Sequence, residues 1–474
     1  MKLLCILLFL LLSFQMKAQN ILIRGKIKNP TARTIEIMLF PYAQKNIKEV
    51  LFLNDANEFE FKTTLNDIAY MTLTFDENRS INKGGQLHWY ILEPNDEVTM
   101  TFDAKNFWQS ICYTGNSAAK FSYYKEDFAT TTLSQNWETT AKAKLKSSKN
   151  EFYRYLTQIE NSRLKILEKY KSQLTPSFCT ICRADVKAAI GKKMVQAIYR
   201  EAEAKSIEPT DSLIPVAYRG SFTEIIPLQN EITAKSMSYP TMVMYFLMLK
   251  YPSPGIPFGE QNDYFKTNKS KFHPAFVETL QSELLEGEIN YKGATPGLLH
   301  QVTEFEKQYP HSRFTARIKE VLIKKARFLP GKPAFAFTLR DTTGQYVQLA
   351  DFKGKIVYLD FWASWCGPCI TQIKSAKKLK DHFKDQKDLV FIYISIDEKD
   401  SNWRKAIANH HITGIHLRDD IKNEKSIANI YDATSIPSSF IIDKTGNFYA
   451  IQPPSPSEKE GKALLKVLEE ALAK

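Results

Sequence analysis

Hydrophobic and polar residues alternate along the first hundred positions. Ile21-Leu22-Ile23-Arg24-Gly25-Lys26-Ile27 and Thr34-Ile35-Glu36-Ile37-Met38-Leu39 keep the two-residue period of a strand with one buried face. Phe59-Glu60-Phe61, after a turn at Asn54, Asp55 and Asn57, repeats the pattern, as do Met71-Thr72-Leu73-Thr74-Phe75 and Val98-Thr99-Met100-Thr101-Phe102. Short alternating strands with Asn/Asp/Gly turns predict an all-β sandwich or barrel over 19–110.

The period then lengthens. Phe152, Tyr155, Leu156, Ile159, Ile166 and Tyr170 recur at three- and four-residue steps and predict one helix over about 138–173. Further helices are expected near 177–204, 239–250, 273–286, 295–308 and 311–326, punctuated by Pro240, Pro252, Pro254, Pro257 and Pro274. No repeat spans the region, so 111–326 reads as an all-α spacer or dimerisation module.

From Phe328 strands and helices alternate. A hairpin is expected at 335–339 and 346–349, a buried strand at 356–361 and a helix at 370–383. A strand at 389–396, a helix at 402–409, a short strand at 415–417 and a helix at 423–431 follow. A second hairpin, 439–442 with 447–451, precedes a last helix at 459–473. This order predicts an α/β domain over 327–474, its sheet covered on both faces. The chain is therefore read as multidomain.

Composition narrows the function classes. A chain of 474 residues exceeds one ordinary core. Its formal charge of +12 is spread along the chain, with no basic and aromatic block of the kind a nucleic-acid surface needs. Met1-Lys2, an apolar run at 3–14 and Met16-Lys17-Ala18-Gln19 predict a cleavable signal peptide over 1–18, although Met16 is large for its place. Cys5 stands too early in that run to take a lipid. The apolar residues 245–249 meet Lys250 at once, far short of a membrane span. An exported, periplasmic, soluble protein is expected.

Removal of the leader leaves Cys112, Cys179, Cys182, Cys366 and Cys369, too few for a disulfide scaffold. Cys366 and Cys369 follow a buried strand and open a helix. Free N–H groups and the helix dipole there favour a thiolate at Cys366. Pro368 fits the first turn, and Cys369 faces back toward Cys366. Cys179-Thr180-Ile181-Cys182 follows Pro176. It reads as a second redox pair, a local structural disulfide or two inert thiols, and it lacks a preceding strand and an aromatic lid. No matching Cys or His pair makes it a zinc half-site. Cys112 is left over, as a buried free thiol or an intermolecular link. His410, His411 and His416 show no metal spacing and are expected to be solvated; no metal site is expected.

Trp365-Cys366-Gly367-Pro368-Cys369 is identical to the active site of thioredoxin. The lead-in from Gly354 to Ala363 resembles the TlpA-like branch of extracytoplasmic thioredoxins, as do Gly331 to Leu339 and Asp341 to Gly344. The β-rich N-terminal region is similar to one that many exported TlpA-like proteins carry. The resemblance implies that Cys366 is the nucleophile and Cys369 the resolving thiol. It implies that Asp360 is the buried acid that moves a proton to or from Cys369. Where thioredoxin has a lysine beside that acid, this sequence has Tyr393. Pro437, in Thr434-Ser435-Ile436-Pro437, matches the cis-proline opposite the cysteines. Ile436 would pair by its backbone with an extended substrate, and Trp365, Gly367 and Pro368 would contact it. Trp362 is expected in the core. The stretch between Ser395 and Pro437 leaves room for the strand and helix that TlpA-like proteins insert.

Gly-Pro between the cysteines is typical of reducing thioredoxins, at about −270 mV. The expected activity is reduction of protein disulfides, with electrons from a membrane-embedded thiol reductant and no cofactor beyond the redox-active disulfide. An oxidase or isomerase of the same fold is an alternative. So is a partner-binding protein in which the redox domain is auxiliary. A homodimer is a further expectation.

Overall fold

The computed structural model describes residues 20–75, 86–133, 136–205, 207, 209–220, 228–250, 268–419, 425–433, 435–457 and 461–474. The predicted leader with Cys5, the prolines Pro252, Pro254 and Pro257, Asn423, Thr434 and Lys459 lie outside the described residues. The chain divides into two compact units: 1–284 with 309–317, and 285–308 with 318–474. The expected boundaries at 110 and 326 differ from this division. The β region and most helices share one unit, and the second takes in two helical stretches before residue 327.

In the first unit, β1 (Ile21–Lys28), β4 (Glu58–Thr63), β7 (Glu97–Asp103) and β8 (Cys112–Thr114) form one four-stranded sheet in the order β4-β1-β7-β8 among the described residues. β2 (Thr34–Pro41), β3 (Ile47–Phe52), β5 (Ala69–Thr74) and β6 (Gln86–Leu92) form the other, ordered β3-β2-β5-β6. Alternation places Ile21, Ile23 and Ile27 of β1 and Ile35, Ile37 and Leu39 of β2 in one core. The sheet does not stop at residue 110. β8 pairs with β7, and the helix Ala118–Phe128 sends Phe121 into the same core. Three residues are too few to show a period, so β8 leaves no pattern. β3 is an edge strand with Lys48, Glu49 and Val50 exposed, and it too lacks the alternation.

The helix expected over 138–173 is two helices, Trp137–Ser147 and Lys149–Tyr170. Ser148 is extended at φ −156° and ψ 125°, and its side chain accepts the Glu151 N–H, capping the second helix. The hydrophobic step continues across the break, so periodicity alone does not reveal it. Pro176–Lys205 and Tyr239–Lys250 lie where expected, and they pack with Lys149–Tyr170 around Leu156, Ile159, Ala188 and Val243. Pro274–Lys292 outlasts its expected end at 286. No described helix is long and apolar enough to cross a membrane.

In the second unit the helix Pro296–Gln308 and the residues from 318 precede an α/β sheet. Its strands are β9 (Thr338–Asp341), β10 (Tyr346–Gln348), β11 (Ile356–Trp362), β12 (Leu389–Ser395), β13 (Ile415–Arg418), β14 (Ser438–Ile442) and β15 (Phe448–Ile451). The described strand order is β10-β9-β13-β12-β11-β14-β15. β11 is central, parallel to β12 and antiparallel to β14. Every residue of β11 is buried. Val357, Leu359 and Phe361 join a cluster with Trp403, Tyr431 and Phe448, while Ile356 and Tyr358 join Leu379, Leu464 and Leu468. A strand buried on both faces reads as a continuous apolar run, which is how it appears in the sequence. The helix Asp400–His410 and β13 fill the stretch before Pro437. The helix expected at 423–431 is one turn, Ile427–Ile430, capped by Ser426.

Candidate redox site

β11 runs out at Trp362, and the helix Gly367–His382 begins five residues later. Cys366 is its N-cap, with extended backbone, and its Sγ accepts the Cys369 N–H at 3.2 Å. Cys366 and Cys369 form a disulfide, with their Cα atoms 5.3 Å apart. Cys369 is fully buried and Cys366 nearly so. Around them Trp365 is 68% exposed, and Gly367 and Pro368 are exposed. Both half-cystines are thus buried, Cys366 the less completely, beside exposed neighbours. Trp362 is fully buried, in the core.

The turn before the cysteines is clasped by a carboxylate. Asp397 accepts the Ser364 N–H at 2.8 Å and the Ser364 hydroxyl at 2.7 Å. It also accepts the Ser395 hydroxyl at 2.8 Å, and its own N–H donates back to Ser395 Oγ at 3.0 Å. Asp397 is buried just past the end of β12, beside the end of β11. Sequence reasoning finds a role for neither Asp397 nor Ser364. An acid two residues past a strand carries no pattern of its own.

Asp360 is buried on β11, two residues after Tyr358 and so on the same face of the strand. Ser439 Oγ donates to it at 2.8 Å, and Tyr358 Oη donates to Ser439 Oγ at 3.2 Å. Burial disfavours the carboxylate and pushes its pKa up to about 7, against the Ser439 hydrogen bond and the charge of Lys380. Tyr393 does stand beside Asp360, on β12. A lysine is nonetheless supplied from another element. Lys380, on the helix that starts at the cysteines, places Nζ 4.4 Å from the centre of the Tyr393 ring and donates to the Thr413 carbonyl at 2.5 Å. Burial pulls its pKa down to about 8, and Asp360 opposes that. Lys380 lies at the i+7 position from Ile373 and i+4 from Ala376, both buried. A lysine on the apolar stripe is the signal that could have found it.

His416 is buried, contrary to the solvated position expected. It lies on β13 stacked on Tyr393 at 5.6 Å, with Nε2 2.9 Å from the Ile412 carbonyl oxygen. Burial, with Lys380 adding to it, lowers its pKa. His411 is exposed and His410 half-buried. Among the described residues, no group of three or more His, Cys, Asp or Glu could hold a metal ion.

The Ile436–Pro437 bond is cis. Ser438 pairs with Phe361, so Pro437 stands one step further, level with Trp362 at the end of β11 that leads to the cysteines. Ile436 and Pro437 are half-buried.

The other cysteines lie in the first unit. Cys179 and Cys182 are unbridged thiols on the helix Pro176–Lys205. Cys182 is buried among Phe178, Ile181, Ile166 and Leu167, and burial pushes both thiols up, most strongly Cys182. That is opposite to the shift that favours exchange. Cys112, for which the sequence allows a buried thiol, is exposed on β8 and free.

Residues 330–451 match the AhpC/TSA family. The thiol-disulfide oxidoreductase ResA of Bacillus thuringiensis subsp. konkukian is 31% identical over 32% of this chain and 81% of its own length. ResA of Bacillus subtilis is 29% identical over 27% of this chain and 68% of its own. The crystal structure of the thioredoxin domain of a thiol-disulfide oxidoreductase from Bacteroides vulgatus is 28% identical, covering 30% of this chain and 96% of that one, with a TM-score of 0.27.

Proposed function

Through its C-terminal third the chain belongs to the thioredoxin-like thiol-disulfide oxidoreductases, and from that premise we propose that it is an exported reductase of protein disulfides, working through Cys366 and Cys369. The observation that carries this reading is the bridge itself. One sulfur sits at a helix N-terminus under exposed Trp365, Gly367 and Pro368, and the second lies buried behind it.

In the reduced protein the Cys366 thiolate is stabilised by the helix N-terminus and by the Cys369 N–H. It attacks one sulfur of a substrate disulfide. A Cys366–substrate bond forms, the substrate S–S bond breaks, and one substrate thiolate leaves. Asp360, as carboxylate, takes the proton of Cys369. The Cys369 thiolate then attacks Cys366 Sγ, which closes the bridge and releases the second substrate thiol. Two electrons have passed to the substrate. Its extended segment would lie along Ile436, with cis Pro437 shaping the groove beside Trp365. Re-reduction of the bridge needs two electrons from an external thiol, and the apolar leader at 1–18 supports a donor embedded in the membrane. A homodimer is compatible with this scheme and is not required by it.

Two measurements test the reading together. The Cys369→Ser variant cannot resolve and should accumulate mixed disulfides through Cys366 in the oxidising compartment. Equilibration with glutathione should place the bridge near the reducing end, at about −270 mV. A value near about −120 mV would make the protein an oxidant instead.

A further inference from the structure

A cavity of ≈ 480 Å³ opens in the first unit between the β5–β6 ribbon and the helices Ala118–Phe128, Lys149–Tyr170 and Pro176–Lys205. Its walls include Trp89, Tyr90, Trp108, Tyr123, Tyr124 and Trp137. Its size and aromatic lining with few polar groups are those of a small-molecule site.

Two features of this cavity bear on a ligand. The first is Trp89. The β5–β6 register passes from Met71 opposite Tyr90 to Leu73 opposite Leu87, which is a bulge. Within it Trp89 holds φ at +60°, an unfavourable backbone for a bulky residue. A bulge re-aims a side chain. Here it leaves the indole 39% exposed on the cavity lining, 5.1 Å from the Phe40 ring.

The second is the charge inside. Arg163 donates to both oxygens of Asp127, at 2.9 and 2.8 Å. Asp185 accepts from Tyr70 Oη at 2.8 Å and Ser236 Oγ at 2.5 Å, both neutral donors. Among the described residues lining the cavity, Asp127 and Asp185 thus face one guanidinium, and Asp127 alone is hydrogen-bonded to it. Cys182, beside them, is kept neutral by burial. Both Asp185 oxygens accept hydrogen bonds, as a carboxylate's do, and those bonds with the charge of Arg163 oppose the burial that pushes its pKa up to about 6. Among the described lining residues the acids thus outnumber the cations by one, behind aromatic walls. A half-buried carboxylate without its own cation among the described residues is costly, and an incoming cation removes that cost. Faces of indole and phenol rings attract cations as well.

We propose that this cavity binds an organic cation, an ammonium or quaternary ammonium group, with Asp185 as its counter-ion and the indole rings as its walls. The cation comes either from a free small amine or from a lysine side chain of a partner protein.

Calorimetric titration of the full-length protein tests this. Choline supplies the free cation, and 3,3-dimethylbutan-1-ol is its neutral isostere. An acetylated and amidated Gly-Lys-Gly peptide supplies the side chain. At least one cation should bind with Kd of about 1 mM or tighter, and the neutral alcohol about tenfold or more weakly. Choline alone binding assigns a free amine; the peptide alone assigns a partner's lysine. Asp185→Asn should weaken the cation about tenfold. Trp89→Leu, at the partly exposed rim, should weaken the cation and leave the alcohol unchanged. Failure of both cations, or equal binding of choline and the alcohol, overturns the proposal. None of these readouts depends on Cys366 or Cys369.

Discussion

At Asp360 the chain carries a carboxyl where solvent is absent. Folded, it holds its proton with a pKa of about 7; unfolded, it would do so near about 4. The folded state therefore binds the proton more tightly. The stability this contributes is complete below about pH 4 and is lost as pH rises through about 7. Asp360→Asn removes the slope. Measured as melting temperature against pH on the oxidised protein, the variant should match the wild type near pH 4. Above pH 7 it should be the more stable by a few kcal/mol, since each tenfold difference in proton affinity is worth about 1.4 kcal/mol. Equal melting at every pH would contradict the buried assignment. Lys380 acts on the same proton. Its charge holds Asp360 down, so Lys380→Met should move Asp360 further up. The limb of the pH–rate profile for release from the Cys366 mixed disulfide should move to higher pH by up to about one pH unit. The burial of Asp360 was legible from the resemblance of its stretch to thioredoxin. Lys380 was not, because a sequence match compares aligned positions, and here the charge arrives from a different element.

At the level of elements, the turn Ala363 to Trp365 depends on Asp397. Asp397→Ala leaves the half-buried Ser364 N–H and two hydroxyls without their acceptor, a cost of about 2–3 kcal/mol. Scanning calorimetry should show a lower midpoint for the transition of the C-terminal unit. Trapping of substrate by the Cys369→Ser protein should slow as the N-cap loses its setting. The buried strand β11 and the helix after it were readable, since each imposes its own period. The break at Ser148 was not, because the helices on either side continue the same apolar step, and only the extended backbone of one residue separates them. β8 and β3 escaped for related reasons: one is three residues long, the other an edge with no buried face to mark.

Over the whole molecule, two compact units imply two separable cores. Calorimetry on the full chain should resolve two transitions, and dithiothreitol should move only the one that contains Cys366 and Cys369. A single transition shifted as a whole would show that the units melt together. The sequence by itself determined the class of each region, the cysteine pair with its strand and helix, and the buried Asp360 and cis Pro437. The first two follow from short-range periods and a local motif, and Asp360 and Pro437 from the resemblance of that motif and its flanks to thioredoxin. Only the tertiary structure decided that Lys380 acts on Asp360 and His416 stacks on Tyr393, that Cys179 and Cys182 stay unbridged in a packed helix, and that Trp89, Asp185 and Arg163 face one cavity. Those residues lie far apart along the chain, and long-range packing leaves no local period from which their meeting could be read.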